Sequence, residues 1–199
     1  MADYHYREHH GTDAAAPLLF VFHGTGGDEN QFFDLGQQLL PGARVVASRG
    51  DVSEGGALRY FRRTAEGVYD MDDLRLRTGQ MADFVARRRD ESQPRRVIGL
   101  GYSNGANILA AVQFSQPGLF DQIVLMHALI PFIPADADFV DRSVLITAGR
   151  RDPIAPASAT QALADYFTRN GAKASLFWHE GGHELRQEEL RETQRFLGS

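Results

Sequence analysis

Three polar residues, Ser103, Asp152 and His183, each follow a short apolar run, and together they have the chemistry of nucleophilic acyl transfer. A serine hydroxyl is a weak nucleophile until a neighbouring imidazole takes its proton, and the imidazole needs a carboxylate to fix its tautomer. Ser103 stands in Gly101-Tyr102-Ser103-Asn104-Gly105, after Val97-Ile98-Gly99-Leu100 and before a helical pattern from Asn104 to about Ser115. Strand, Gly-x-Ser-x-Gly and helix form the context of a nucleophile elbow. There the glycines permit a sharp turn, and the hydroxyl is raised over a helix N-terminus. In isolation the pentapeptide also reads as a glycine-rich turn with a structural serine. Three further segments weigh against that.

Asp152 lies in Gly149-Arg150-Arg151-Asp152-Pro153, just past the β-prone run Val144-Leu145-Ile146-Thr147-Ala148. A carboxylate there points into the crevice where open α/β sheets bind ligands, although an aspartate before proline is also a common turn residue. His183 lies in Gly181-Gly182-His183-Glu184, after Ala174-Ser175-Leu176-Phe177-Trp178, on a loop whose glycines allow close approach. His179, at the end of that run, is its rival as the base. The chain order nucleophile, acid, base is that of α/β-hydrolases and of neither chymotrypsin nor subtilisin. The third segment, His23-Gly24-Thr25-Gly26-Gly27-Asp28-Glu29, follows Leu18-Leu19-Phe20-Val21-Phe22. Its backbone N–H groups suit a developing oxyanion, beside the N–H of the residue after the nucleophile, Asn104. The glycine spacing fits neither nucleotide-binding fingerprint. His23 is expected to brace this loop, and His127 to end a strand near the site.

These segments resemble the phospholipase/carboxylesterase family of α/β-hydrolases, and within it the small bacterial carboxylesterases linked to hydroquinone and catechol resistance. The matching residues are Phe22 to Glu29, Arg59-Tyr60-Phe61-Arg62-Arg63, Gly101 to Asn107, Gly149 with Asp152 and Pro156, and Gly182-His183. The resemblance runs nearly end to end. It implies an esterase with Ser103, Asp152 and His183 as its triad and Thr25 and Asn104 as oxyanion donors.

The elements that must hold these residues alternate. Strands are expected at Leu18–Phe22, Arg44–Ala47, Val97–Gly101, Gln122–Met126, Ser143–Ala148 and Ala174–Trp178, with an edge strand at Tyr4–His9. Helices are expected at Asn30–Leu40, Asp73–Arg89, Asn104–Ser115, Ser158–Asn170 and Leu185–Phe196. The fold class is α/β: a mostly parallel sheet of about six or seven strands with helices on both faces. The stretch from Ala128 to Arg142 is too short for a cap domain, so the site should be open. Arg59, Tyr60 and Phe61 from the long irregular stretch between Ser48 and Asp72, with Ile130 and Phe132, are the candidate substrate-binding residues. The same aromatics could equally pack beneath their own loops.

At 199 residues the chain is expected to form one α/β-hydrolase domain over 1–199. A net charge of −5 argues against a nucleic-acid partner, and the arginine pairs and triplets read as solvated surface. There is no cysteine, hence no disulfide, thiolate metal site or cysteine nucleophile. With no basic-then-apolar leader and no apolar run long enough to span a bilayer, a cytoplasmic location is expected. His9-His10 lacks a third ligand at zinc-like spacing and is expected to fray. The expected partner is a small-molecule ester, with no membrane, no metal and no organic cofactor; a homodimer is left open. A thioesterase or lysophospholipase would use the same machinery, and a non-catalytic ligand sensor could occupy the same fold.

Overall fold

Continuous apolar runs build the centre of the molecule. The computed structural model describes residues 4–13 and 15–199. Its main sheet has seven strands: β1 (Tyr6–His9), β2 (Leu18–Phe22), β3 (Arg44–Ser48), β8 (Val97–Tyr102), β9 (Gln122–Met126), β10 (Ser143–Gly149) and β11 (Lys173–His179). Their order across the sheet is β1-β3-β2-β8-β9-β10-β11. Only β1 runs antiparallel, pairing with β3; the other pairs are parallel. Each strand expected from the sequence is present, with ends moved by a residue or two. His9, expected to fray, pairs with Val45 in β1 instead.

All five residues of β2 are buried, and their alternation divides the core. Leu18, Phe20 and Phe22 face a cluster with Phe84, Leu109, Phe120 and Phe167. That cluster is supplied by helices α2 (Met71–Ser92), α3 (Asn104–Ser115) and α4 (Ala157–Arg169). Leu19 and Val21 face the opposite cluster, with Phe33 and Leu39 of α1 (Phe33–Leu39) and Leu197 of α5 (Gln187–Leu197). Each such large apolar side chain contributes about 1.5–3 kcal/mol on burial. Edge-to-face contacts of Phe84 with Tyr4, Tyr6 and Phe20 tie β1 to this packing.

Two departures bear on the site. Helix α1 begins at Phe33 and not at Asn30. The Asp28 carboxylate accepts the Asn30 N–H at 2.9 Å, and the Gln31 side chain accepts the Gly24 N–H at 2.8 Å, so both are spent in the preceding loop. The stretch between Ser48 and Asp72 is not irregular. It forms two small hairpins, β4 (Val52–Glu54) with β5 (Ala57–Arg59) and β6 (Arg63–Ala65) with β7 (Val68–Tyr69). From 128 to 142 the chain carries no helix or strand and no cap.

The chain leaves β2 for β3 on one side of the sheet, and β8 lies on the other. The ends of β2 and β8 therefore flank a topological switch point, where open α/β sheets form their ligand crevice. Among the described residues, no helix is long and apolar enough to cross a membrane.

Candidate active site

Ser103 sits at that crevice, between β8 and α3, with φ 53° and ψ −117°. A side chain is rarely tolerated there, and the surroundings must hold it. The Ser103 N–H donates to the Met126 carbonyl of β9 at 2.9 Å, and its own carbonyl accepts the Asn107 N–H at 3.0 Å. Gly105 permits the turn, because a methyl there would overlap the backbone carbonyls of Phe22 and His23.

The Ser103 hydroxyl lies 2.9 Å from Nε2 of His183, and Nδ1 of His183 lies 2.7 Å from Oδ2 of Asp152. Asp152 is buried, and its other oxygen accepts the N–H groups of Ile154 and Ala155 at 2.8 and 2.9 Å. Burial opposes its ionisation. The hydrogen bonds from Ala155, His127, His183 and Ile154 outweigh that and hold its pKa below the ordinary value. An ionised Asp152 requires His183 to donate through Nδ1–H, which leaves Nε2 as a bare acceptor for the Ser103 proton.

Close backbone approach brings Asp152 and His183 together. A methyl on Gly149 would overlap the carbonyls of Gly181 and Gly182. The loops are stitched by Arg150 N–H to His179 O and Arg151 N–H to Gly181 O, both 2.9 Å. Tyr102 donates its hydroxyl to the His183 carbonyl at 2.7 Å, a support the sequence pattern did not reveal. Burial and the Asp152 charge push the Tyr102 phenol up to about 12, so it stays a neutral donor.

The loop after β2 is fixed from several sides. Gly50 N–H donates to Nε2 of His23 at 2.8 Å, so His23 carries its proton on Nδ1 and donates it to Gly24 O at 2.7 Å. His23 thus braces the loop, and burial lowers its pKa. The N–H groups of Gly24, Gly26 and Gly27 are taken by Gln31, Leu58 and Gly24. That of Thr25 has no such bond among the described residues. Arg59 donates to Oγ1 of Thr25 at 2.8 Å. Asn104 is the first residue of α3, where a helix leaves its N–H groups without intrahelical partners. Thr25 and Asn104 border one cleft with Ser103 and His183, about 250 Å³ in volume.

The five candidate substrate-binding residues part company. Arg59 lines that cleft, beside Arg63, Tyr69, Leu129 and Ile154. Tyr60 and Phe61 are fully buried and point into the core. The Tyr60 hydroxyl donates to Ser48 O at 2.8 Å, and Phe61 packs on Tyr69. Ile130 and Phe132 line a separate groove against α4, with Leu163 and Tyr166.

Behind Asp152 lies a cluster that sequence spacing could not announce. His127, whose Nδ1 is 2.8 Å from the same Oδ2, meets Glu189 of α5 and His179 at the end of β11. All three side chains are fully buried. His179 thus serves this cluster, and His183 alone reaches Ser103. The ligand atoms of His127, His179 and Glu189 lie close enough together for a metal ion. However, Gly181 N–H donates to Nδ1 of His179 at 3.0 Å, which places the ring proton on Nε2. The nitrogen facing the cluster is then an N–H and not a ligand lone pair.

The profile of the dienelactone hydrolase family matches residues 55–191. A Bacillus subtilis (strain 168) protein named as a hydrolase, MhqD, is 36% identical over 182 residues, covering 90% of this chain and 91% of that one. Among solved structures, the Bacillus cereus carboxylesterase superposes with a TM-score of 0.94 at 32% identity, covering 99% of this chain and 94% of its own. A protein of unknown function from Agrobacterium tumefaciens str. C58, Atu2452, is 54% identical with a TM-score of 0.94, over 98% of this chain and 96% of that one. The motif resemblance to small bacterial carboxylesterases holds, and the family that the profile names is that of dienelactone hydrolases. With about two-thirds of its length matched by that profile, the chain belongs to the dienelactone hydrolase family and is a hydrolase of the carboxylesterase class on the α/β-hydrolase fold.

Proposed function

We propose that the protein is a serine carboxylesterase acting on small or medium acyl esters, aryl esters among them. The observation that carries this reading is the unbroken line from Ser103 Oγ to His183 Nε2 at 2.9 Å and from His183 Nδ1 to Asp152 Oδ2 at 2.7 Å. Ser103 attacks the ester carbonyl as His183 takes its proton, and Asp152 stabilises the imidazolium. The N–H groups of Thr25 and Asn104 receive the oxyanion; one such donor is typically worth about 2.7–4 kcal/mol of barrier. The imidazolium then protonates the departing alcohol. Water, activated by the same imidazole, releases the acid and restores Ser103. These residues complete the cycle with a small-molecule ester and water, and a cytoplasmic location fits that role.

The test is hydrolysis of p-nitrophenyl esters of graded acyl length, with matched thioesters, by wild type and Ser103→Ala. Turnover of short esters that vanishes in the variant supports the reading. A clear preference for thioesters or long-chain lysophospholipids would move it to those substrates, and tight ester binding without turnover would make the protein a sensor.

A further inference from the structure

His127 occupies a position that the proposed reaction does not require. It follows β9 with φ 54°, a left-handed backbone state uncommon for residues other than glycine. Its N–H donates to the Thr147 carbonyl at 2.8 Å. Its ring lies between two buried carboxylates. Nδ1 is 2.8 Å from Asp152 Oδ2, and Nε2 is 3.3 Å from Glu189 Oε1. A neutral imidazole protonated at Nδ1 would turn its bare Nε2 toward Glu189, with the His179 N–H at 3.3 Å as its one donor; beside a protonated ring, that N–H turns to Glu189 Oε2 at 3.6 Å. A protonated ring offers an N–H to each. Glu189 is itself held in place, accepting the Arg186 N–H at 3.2 Å and the Thr147 hydroxyl.

We propose that His127 is held as an imidazolium between Asp152 and Glu189 and acts as a positioning residue for the base His183. The inference rests on the reading of Ser103, His183 and Asp152 as the reacting line. Asp152 Oδ2 is shared: His183 and His127 donate to the same oxygen at 2.7 and 2.8 Å. With Ile154 and Ala155 on Oδ1, four donors fix the carboxylate. The two rings lie 5.1 Å apart, so a charge on His127 opposes protonation of His183. Activity is thereby kept to lower pH than Asp152 and His183 alone would allow. Glu189, on the far side, keeps the charge on His127.

The groups facing His127 from the surrounding elements are few. Asp152 comes from the loop after β10, Glu189 from α5, His179 from the end of β11, His183 from the loop after it, and Tyr102 from β8 at 5.8 Å between rings. Burial alone would lower the His127 pKa; Glu189 and Asp152 outweigh it and raise it. The same pairing lowers that of Glu189 against its own burial.

The experiment uses 15N-labelled histidine in the whole protein and in His127→Asn, whose amide can keep a donor toward Asp152 without the charge. Nitrogen shifts of the wild type at pH 6–7 are expected to show His127 protonated at both nitrogens. The acid limb of the kcat/KM profile is expected to move up by about one pH unit in His127→Asn, a tenfold change in proton affinity, with kcat on the plateau within a few-fold. If that variant does not fold, Glu189→Gln gives the second readout, with His127 losing a proton in its spectrum. A neutral His127, an unmoved acid limb, or stoichiometric zinc in the purified protein would each overturn the proposal. The spectra do not depend on turnover. A protein that hydrolyses nothing but shows a doubly protonated His127 would defeat the esterase reading and not this charge assignment.

Discussion

The side-chain oxygen of Asn104 accepts the backbone N–H of Tyr60 at 2.8 Å, across 44 residues of sequence. The residue that follows the proposed nucleophile thus pins the stretch between the two small hairpins. Arg59 and Tyr60 in turn hold the loop after β2, through the Arg59 guanidinium on Thr25 and the Tyr60 hydroxyl accepting the His23 N–H at 3.2 Å.

Asn104→Ala keeps the backbone N–H proposed for the oxyanion but strands the Tyr60 N–H in the core. An unpaired buried donor costs about 1–3 kcal/mol. Urea unfolding is expected to show a loss of that size, with kcat lowered as the loop loosens. Unchanged stability would mean that the contact is dispensable.

Two glycines on helices are expected to respond in opposite directions. Gly105→Ala drives a methyl into the carbonyls of Phe22 and His23, which belong to backbone and cannot move aside. It should destabilise by more than about 3 kcal/mol or prevent folding, at the scale of overpacking a rigid site. Gly79 in α2 has open space where a methyl would stand, so Gly79→Ala should stabilise by about 1 kcal/mol. Thermal melts of the two variants beside wild type decide both.

Much of the fold and site was legible in the chain alone, and the failures have physical causes. Strands such as β2 and β9 are runs of four or five consecutive apolar residues, so their positions follow from the pattern of apolar residues. Ser103, Asp152 and His183 each lie just past such a strand, so finding the apolar runs is enough to bring them to one edge of the sheet. Tyr60 and Phe61 lie in a stretch with no long period, so nothing in the sequence says which way they point; they turn inward. The hairpins around them have strands of two or three residues, too short for an alternating pattern. His127, His179 and Glu189 come from three separate elements, and only the folded sheet brings them together.

Stability should depend on pH through the buried cluster. The folded-state pKa values of Asp152 and Glu189 are lowered, as their hydrogen bonds outweigh burial, and that of His127 is raised. The carboxylates therefore contribute stability above their unfolded values of about 3.9 and 4.3, and lose it as pH falls through the lower folded values. His127 contributes fully below its unfolded value of about 6.5 and loses that contribution as pH rises through its raised folded value. In urea titrations, the stability difference between wild type and His127→Asn should shrink from pH 6 toward pH 9. A constant difference would show that the ring does not titrate in that window.

Substrate length follows from the cleft. At about 250 Å³ and without a cap, it offers little wall to a long acyl tail. Each buried methylene is worth about 0.8 kcal/mol, so an enclosed tunnel would reward every added carbon. The kcat/KM values for p-nitrophenyl esters should peak between acetyl and about hexanoyl, the range that a small cleft can bury. A steady rise to palmitoyl would refute the open-site geometry.

Covalent labelling of Ser103 tests the central claim most directly. A fluorophosphonate reacts with a serine only where a base activates it and an oxyanion site receives the phosphoryl oxygen. Peptide mass spectrometry after labelling should find one adduct, on Ser103, in wild type. It should find none in Ser103→Ala or His183→Ala, and ester hydrolysis should fall with the label. An adduct on any other serine, or hydrolysis undiminished in Ser103→Ala, would contradict the account.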